Sequence, residues 1–285
     1  MPSQEPTRPQ NVQLHQFKMM VDVFGPIRPS QELHRQTRRA LKGHSSGRDF
    51  FTDITLHDVR NTGGMRVEYT VTASSPTGAE RAGAVYLSQL CDLLSVVTRS
   101  PVWFYMPDED SRDERMRIHR RASSVDRILT EEEWTWITGN LVFLRREHPR
   151  FLAATSWYRK GLIGRDNLDD FCCYWRVIER LAYSFADRTN WKEEDKNGGR
   201  DWPVKHYIAQ LVTELFSDDV APEILTDPKT VATIKRLRDD LSHGNLPITL
   251  EVIDAATAHL KPLEHAAFSV LQGVRNRKLV CPDPI

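Results

Sequence analysis

The segment Phe171–Phe185 constrains the fold of this chain more than any other. Phe171, Tyr174, Trp175, Ile178, Leu181, Ala182 and Phe185 recur at three- and four-residue steps, so they share one side of an α-helix. So aromatic a stripe must be buried against several neighbours, and helical periodicity runs through every segment from Thr130 onward. Thr130 followed by Glu131, Glu132 and Glu133 is a helix start, a capping hydroxyl ahead of acids that suit the positive helix end. Trp134, Ile137, Leu141 and Leu144 mark the buried side of that helix. Phe151, Thr155, Tyr158 and Leu162 mark a second, closed by Gly164. Tyr207, Ile208, Leu211, Val212, Leu215 and Phe216 form another, and Val231, Ile234, Leu237 and Leu241 one more, ending at Gly244. Val252, Ala256, Leu260, Leu263, Ala267, Val270, Leu271 and Val274 make the last, with a bend expected at Pro262.

The first third reads differently. Phe17, Met19, Val21 and Val23 alternate as a strand ending at Gly25-Pro26. Ser30 is expected to cap a helix through Leu33, Thr37 and Leu41, with Arg35, Arg38 and Arg39 on its basic face. Ile54 and Leu56, a turn at Asn61-Thr62-Gly63-Gly64, and the alternating Met65, Val67, Tyr69, Val71 and Ala73 predict a hairpin with one wet face. After a turn around Pro76–Gly78, the residues Tyr86, Leu90, Leu93, Leu94 and Val97 predict a helix stopped by Pro101, then a strand at Val102–Tyr105. The expected fold class is α+β: a small N-terminal α+β domain over residues 11–106, a charged linker over 107–129, and an antiparallel α-helical bundle over 130–276. Within the linker, Arg117, Arg120 and Arg121 also suit a path for an RNA backbone.

Composition excludes some functions. Lysines and arginines number 39 and so do the acids, giving zero formal charge, so any nucleic-acid contact has to be local. Cys172 and Cys173 are neighbours on a helix and point in different directions, which rules out a usual disulfide or a CxxC clip between them. With Cys91 and Cys281 they fit a reducing, cytoplasmic setting. The start Met1-Pro2-Ser3-Gln4-Glu5 lacks a basic and apolar leader, and no run reaches the roughly 18–20 apolar residues of a membrane span. HExxH, paired CxxC and GxxxxGK[ST] patterns are absent, so no metal and no cofactor are expected. Trp134, Trp136, Trp157 and Trp175 sit at helical core spacing rather than in a base-stacking array.

Chemistry concentrates at Ile234–Asn245. Arg238 falls within the stripe made by Val231, Ile234 and Leu241, and a buried guanidinium needs an anion, Glu179 or an aspartate, or else a wet cleft. His243 precedes Gly244, where a left-handed cap should unwind the helix. Five positions of ideal helix turn His243 away from Arg238, and unwinding at the glycine is what could swing it back. Brought together, the two suit phosphodiester cleavage. An imidazole moves a proton near neutral pH, and a guanidinium matches phosphate oxygens. RNA supplies its own 2′-hydroxyl nucleophile, so a cyclic phosphate would form without a metal. The plainer alternative is that His243 caps a helix end and Arg238 pairs inside the core.

Arg238-Asp239-Asp240-Leu241-Ser242-His243-Gly244 resembles the R-x4–6-H motif of HEPN domains. Trp157-Tyr158-Arg159-Lys160-Gly161-Leu162, Asp170-Phe171 and Tyr174–Leu181 are similar to the earlier helices of such domains, and the likeness covers about residues 130–275. In general shape the chain also looks like MauJ-type bacterial proteins. The HEPN resemblance implies a homodimer through the helical domain whose two motifs form one RNase site, with Arg238 and His243 as the catalytic pair and Asp239 as their polar neighbour. Glu179, Arg176 and Tyr158 would support the pair. Many HEPN proteins act as toxins, partnered by antitoxins or regulators, or in phage defence, while others are non-catalytic dimerisation, partner- or nucleotide-binding modules.

Overall fold

A computed structural model describes residues 14–36, 50–59, 64–104, 127–164, 166–189, 191–192, 203–217 and 219–281. The chain begins with strands β1 (His15–Phe24), β2 (Ile27–Pro29), β3 (Leu33–Gln36), β4 (Phe50–Val59) and β5 (Gly64–Ala73). Helix α1 (Pro76–Thr98) and the short strands β6 (Trp103–Phe104) and β7 (Arg127–Leu129) follow. Then come α2 (Glu131–Glu147), α3 (Pro149–Ile163), α4 (Asn167–Phe185), α5 (Val204–Leu215), α6 (Glu223–Thr226), α7 (Pro228–His243) and α8 (Leu250–Arg277). The class is α+β, an N-terminal antiparallel sheet followed by a helical bundle.

Five strands form a sheet in the order β3-β4-β5-β1-β6. The period-two pattern of β5 puts Met65, Val67, Tyr69, Val71 and Ala73 on the covered face, and all five are buried. β1 pairs with β5 from His15↔Ala73 to Phe24↔Gly64, so the alternating Val21 and Val23 join the same face. β1 is followed by Gly25, whose φ of +156° and close approach to Pro101 leave no room for a Cβ, 2.5 Å from the carbonyl oxygen.

Two local expectations are corrected. The helix expected to start at Ser30 is instead strand β3, with Leu33 opposite Leu56 and Gln36 opposite Asp53. Pairing along β4 buries Leu33 completely, while a helix would have had only one strong apolar residue among its described positions. Thr37, Arg38, Arg39 and Leu41 lie outside the described residues. Pro76–Gly78 is the first turn of α1 rather than a turn before it. Ser75 caps the helix by accepting from the Gly78 amide at 3.1 Å, and Pro76 sits where a helix needs no donor. Most of the charged linker, like the turn residues Asn61–Gly63, lies outside the described residues; its last three residues form β7, parallel to β2.

α1 joins the two halves. Its first turns cover the sheet through Ala79, Gly83 and Tyr86, and Cys91–Thr98 are buried on all sides because α3 packs on the opposite face. Across that contact Arg159 Nε donates to Asp92 Oδ1 at 2.5 Å and Arg159 Nη2 to Ser88 at 3.1 Å. Beyond α1, Arg99 adopts a left-handed φ of 50° and forks onto Glu264 of α8. Glu264 also accepts from the Tyr158 hydroxyl at 2.6 Å. One apolar core therefore runs from Val23 and Leu94 through Phe151 to Trp175 and Val270.

α4 is the central helix, packed against α3, α5, α7 and α8. Phe171, Trp175, Ile178, Leu181 and Ala182 are buried, as their spacing requires. Each large side chain so removed from water contributes roughly 1.5–3 kcal/mol. Thr130 forms a full capping box with Glu133 at the start of α2. α8 runs unbroken past Pro262 as one helix. α6, only four residues long, has no period to read, yet Ile224 and Leu225 are buried. Among the described residues no helix is long and apolar enough to cross a membrane.

Candidate functional site

α7 leaves the core as it proceeds. Asp227 caps its start through the amides of Lys229 and Thr230, Pro228 occupies the first turn, and Val231 and Ile234 are buried. Leu237, Arg238 and Leu241 are half-buried, and every residue from Ser242 to Leu250 is exposed. The helix ends at Gly244 in the expected left-handed conformation, φ 65°, with its N–H directed to Asp240 and Leu241 carbonyls.

Arg238 keeps only 14% of its side chain exposed. Its Nη2 donates to Glu179 of α4, its Nη1 pairs with Asp239 at 2.9 Å, and its buried Nε has no partner. The other oxygen of Asp239 accepts from Lys235 Nζ at 2.5 Å. Both carboxylate sources anticipated from the sequence are thus used. His243 is exposed at the last helical position. Because the helix stays regular through His243 and unwinds only after it, its Cα lies about 140° around and about 7.5 Å along the axis from that of Arg238. The glycine does not swing the imidazole back within one chain.

Of the expected supporting residues, Glu179 holds Arg238 and Arg176 lines a groove beside it. Tyr158 does not belong there. It is fully buried, bonded to Glu264 and tilted against Tyr174 and Phe268, because its place in the α3 stripe points it into the core. Burial and the adjacent Glu264 carboxylate push its hydroxyl well above the usual phenol range. Arg117, Arg120 and Arg121 lie outside the described residues.

The groove has a volume of about 610 Å³ and lies between α3, α4 and the end of α7. Trp157 and Arg176 line it and also line an adjoining depression of about 420 Å³ that reaches Glu179, Arg180 and Tyr183. At the opposite side the wall includes Ser242 and Gly244, the two neighbours of His243. The Lys160 ammonium and the Arg176 guanidinium each stand 4.4 Å from the Trp157 ring centre.

Trp134, Trp136, Trp157 and Trp175 all pack on the core, but two of them also reach the surface. Trp134 and Trp175 are core, but Trp157 is half-buried, as is Trp136, which lies under Arg275 at 3.8 Å. The signal was present in the spacing. Tyr158 belongs to the buried stripe of α3, and its immediate neighbour stands about 100° away around the helix.

Cys172 and Cys173 also line the groove. Burial pushes both thiols up, Cys173 to about 11, while a bond to Ser242 moderates Cys172. All four cysteines are free. Among the described residues no three His, Cys, Asp or Glu side chains gather to hold a metal. No known family model, curated protein or solved structure matches the chain significantly.

Proposed function

We propose that the chain is a HEPN-like, metal-independent ribonuclease of the cytoplasm that works as a homodimer. The observation that carries this reading is Arg238, a largely buried charged side chain held by Glu179, which itself lines the smaller depression, and standing five residues before an exposed histidine on the same helix. Each terminal nitrogen of the guanidinium carries a second N–H beside the one given to Glu179 or Asp239, and that is the donor it could offer a phosphate oxygen.

Separation of the pair within one chain is the reason for the dimer. A second copy would bring its own Arg238 and His243, so that each imidazole meets a guanidinium across the axis. Leu246, Ile248 and Leu250, exposed by 40, 69 and 74%, offer that copy an apolar face beside His243. In the reaction one imidazole takes the 2′-hydroxyl proton and that oxygen attacks the adjacent phosphorus. The bond to the 5′-oxygen breaks, the leaving oxygen collects a proton from the second imidazole, and a 2′,3′-cyclic phosphate remains. Arg238 stabilises the charge that builds on the phosphoryl oxygens.

A second reading, a non-catalytic HEPN-like module that dimerises or binds a partner, is favoured by one observation. Two donors of Arg238 are already taken by Glu179 and Asp239, which offset its charge.

The experiment that separates them is cleavage of single-stranded RNA by the purified chain in EDTA, with end-group analysis. The ribonuclease reading expects cyclic phosphate ends, loss of cleavage in His243→Ala, and unchanged circular dichroism in that variant. Absence of cleavage by the wild type, or equal cleavage by wild type and His243→Ala, refutes it. A growth defect on expression that His243→Ala removes would support a toxin held by an antitoxin or regulator.

A further inference from the structure

We infer that the Trp157 groove is the strand-binding subsite for single-stranded RNA, seating a base on the indole and its phosphates on Lys160, Arg176 and Arg180. The inference rests on the ribonuclease reading above and names where that substrate would lie.

Charge pairing is the first ground. Lys18, Arg66, Arg99, Arg127, Arg159, Arg238, Arg277 and Lys278 each meet a carboxylate. Among the described residues Lys160, Arg176 and Arg180, like Arg145, Arg150 and Lys205, make no ion pair; what sets the three apart is that they line the groove or its adjoining depression together. Their gathering gives the Arg176–Arg180 side of the concavity a local positive charge that suits an anion, although Asp169, Asp170 and Glu179 line the same surface, and a local contact is the only kind a chain of zero net charge allows.

Aromatic placement is the second. Lys160 and Arg176 are held over Trp157, so an incoming base can take the place of one cation on the ring while that cation turns its N–H donors to a phosphate. Tyr183, 42% exposed, continues the aromatic surface at the far end. The groove volume lies within the range of sites that enclose a nucleotide-sized ligand.

Polarity sets the direction. Asp169 and Asp170 also line the groove, with the apolar Ile163 and Leu168. Phosphates are repelled by those carboxylates, so the backbone runs along Arg176 and Arg180 and the base points toward the apolar wall. That course brings the strand past Glu179, the partner of Arg238.

The test uses full-length protein carrying His243→Ala to silence cleavage, and a fluorescein-labelled single-stranded RNA twelve nucleotides long, read by anisotropy across a salt series. Adding Trp157→Ala should weaken binding roughly 5- to 150-fold, the range for loss of one stacked base. Trp157→Phe, which keeps a ring, should weaken it less than Trp157→Ala. The double change Arg176→Ala/Arg180→Ala should lower the slope of log affinity against log salt by about 1.4, two single-strand phosphate contacts. Wild-type affinity and slope in Trp157→Ala and in the double variant overturn the assignment, as does absence of binding by the parent. Competition as strong from a mononucleotide or from polyglutamate also overturns it, in favour of a free nucleotide or an acidic peptide. Loss of cleavage in His243→Ala together with unaltered binding in Trp157→Ala sinks the groove and spares the nuclease. Binding that depends on Trp157 in a protein that never cleaves does the reverse.

Discussion

Replacing Glu179 by alanine tests how Arg238 is held. The guanidinium is 14% exposed and Glu179 21%, so neither group is fully desolvated. Stripping the only partner from a buried charge costs about 3–5 kcal/mol. Here Asp239 remains at 2.9 Å, although it is shared with Lys235, so Arg238 is not orphaned. The loss is closer to one charge-assisted hydrogen bond, discounted for solvent, about 1–2 kcal/mol. For a chain of 285 residues that corresponds to a drop in Tm of about 2–3 °C. Urea melts of wild type, Glu179→Ala, Arg238→Met and the double variant give the coupling directly. A coupling below about 0.5 kcal/mol would refute the view that Glu179 fixes Arg238. The functional consequence has the opposite sign. Freed from Glu179, Arg238 has another donor for phosphate, so RNA affinity should rise as stability falls, whereas a purely structural Arg238 would leave affinity unchanged.

The other predictions concern the interior. Asp92 and Arg159 retain 4 and 13% side-chain exposure, so Asp92→Ala leaves a nearly dry guanidinium unpaired and should cost about 3–5 kcal/mol in urea melts, with Asp92→Ala/Arg159→Met recovering much of it. Equal melts for the two variants would discount the pair. His243 is exposed at a helix end, so His243→Ala should shift stability by no more than about 0.5 kcal/mol while removing any cleavage. Burial pushes the Cys91 thiol to about 12 and that of Cys173 to about 11, so iodoacetamide at pH 8 should modify neither until the protein unfolds. Linkage follows with a definite sign. Above the ordinary thiol value of 9.0 the unfolded chain loses these protons first, so stability should fall from about pH 9 toward pH 11–12. A flat stability profile across that window would show both thiols to be solvated.

Sequence alone carried most of the helical half because its elements are long and their burial is one-sided. The stripe from Phe171 to Phe185 could be buried only as a helix, and Thr130 and Gly244 mark ends whose caps depend on neighbouring residues. The same holds for β5, where strict alternation leaves one face to cover. Where the reading failed, the deciding partner was distant in the chain. Leu33–Gln36 became strand because β4 offered an edge, and Tyr158 turned to Glu264 and Arg99 rather than to the motif.

For the candidate site the division is sharper. The residues Arg238 and His243, the need of a buried guanidinium for an anion, and the left-handed cap at Gly244 were all written in local spacing. Which carboxylate answers Arg238, that His243 stands exposed at the helix end, and that Trp157 with Lys160 and Arg176 lines a groove came only with the tertiary structure. The physical reason is range. Periodicity and capping act over a turn or two of chain, whereas an ion pair between α4 and α7 spans a separation of 59 residues and exists only once packing has brought the two helices side by side.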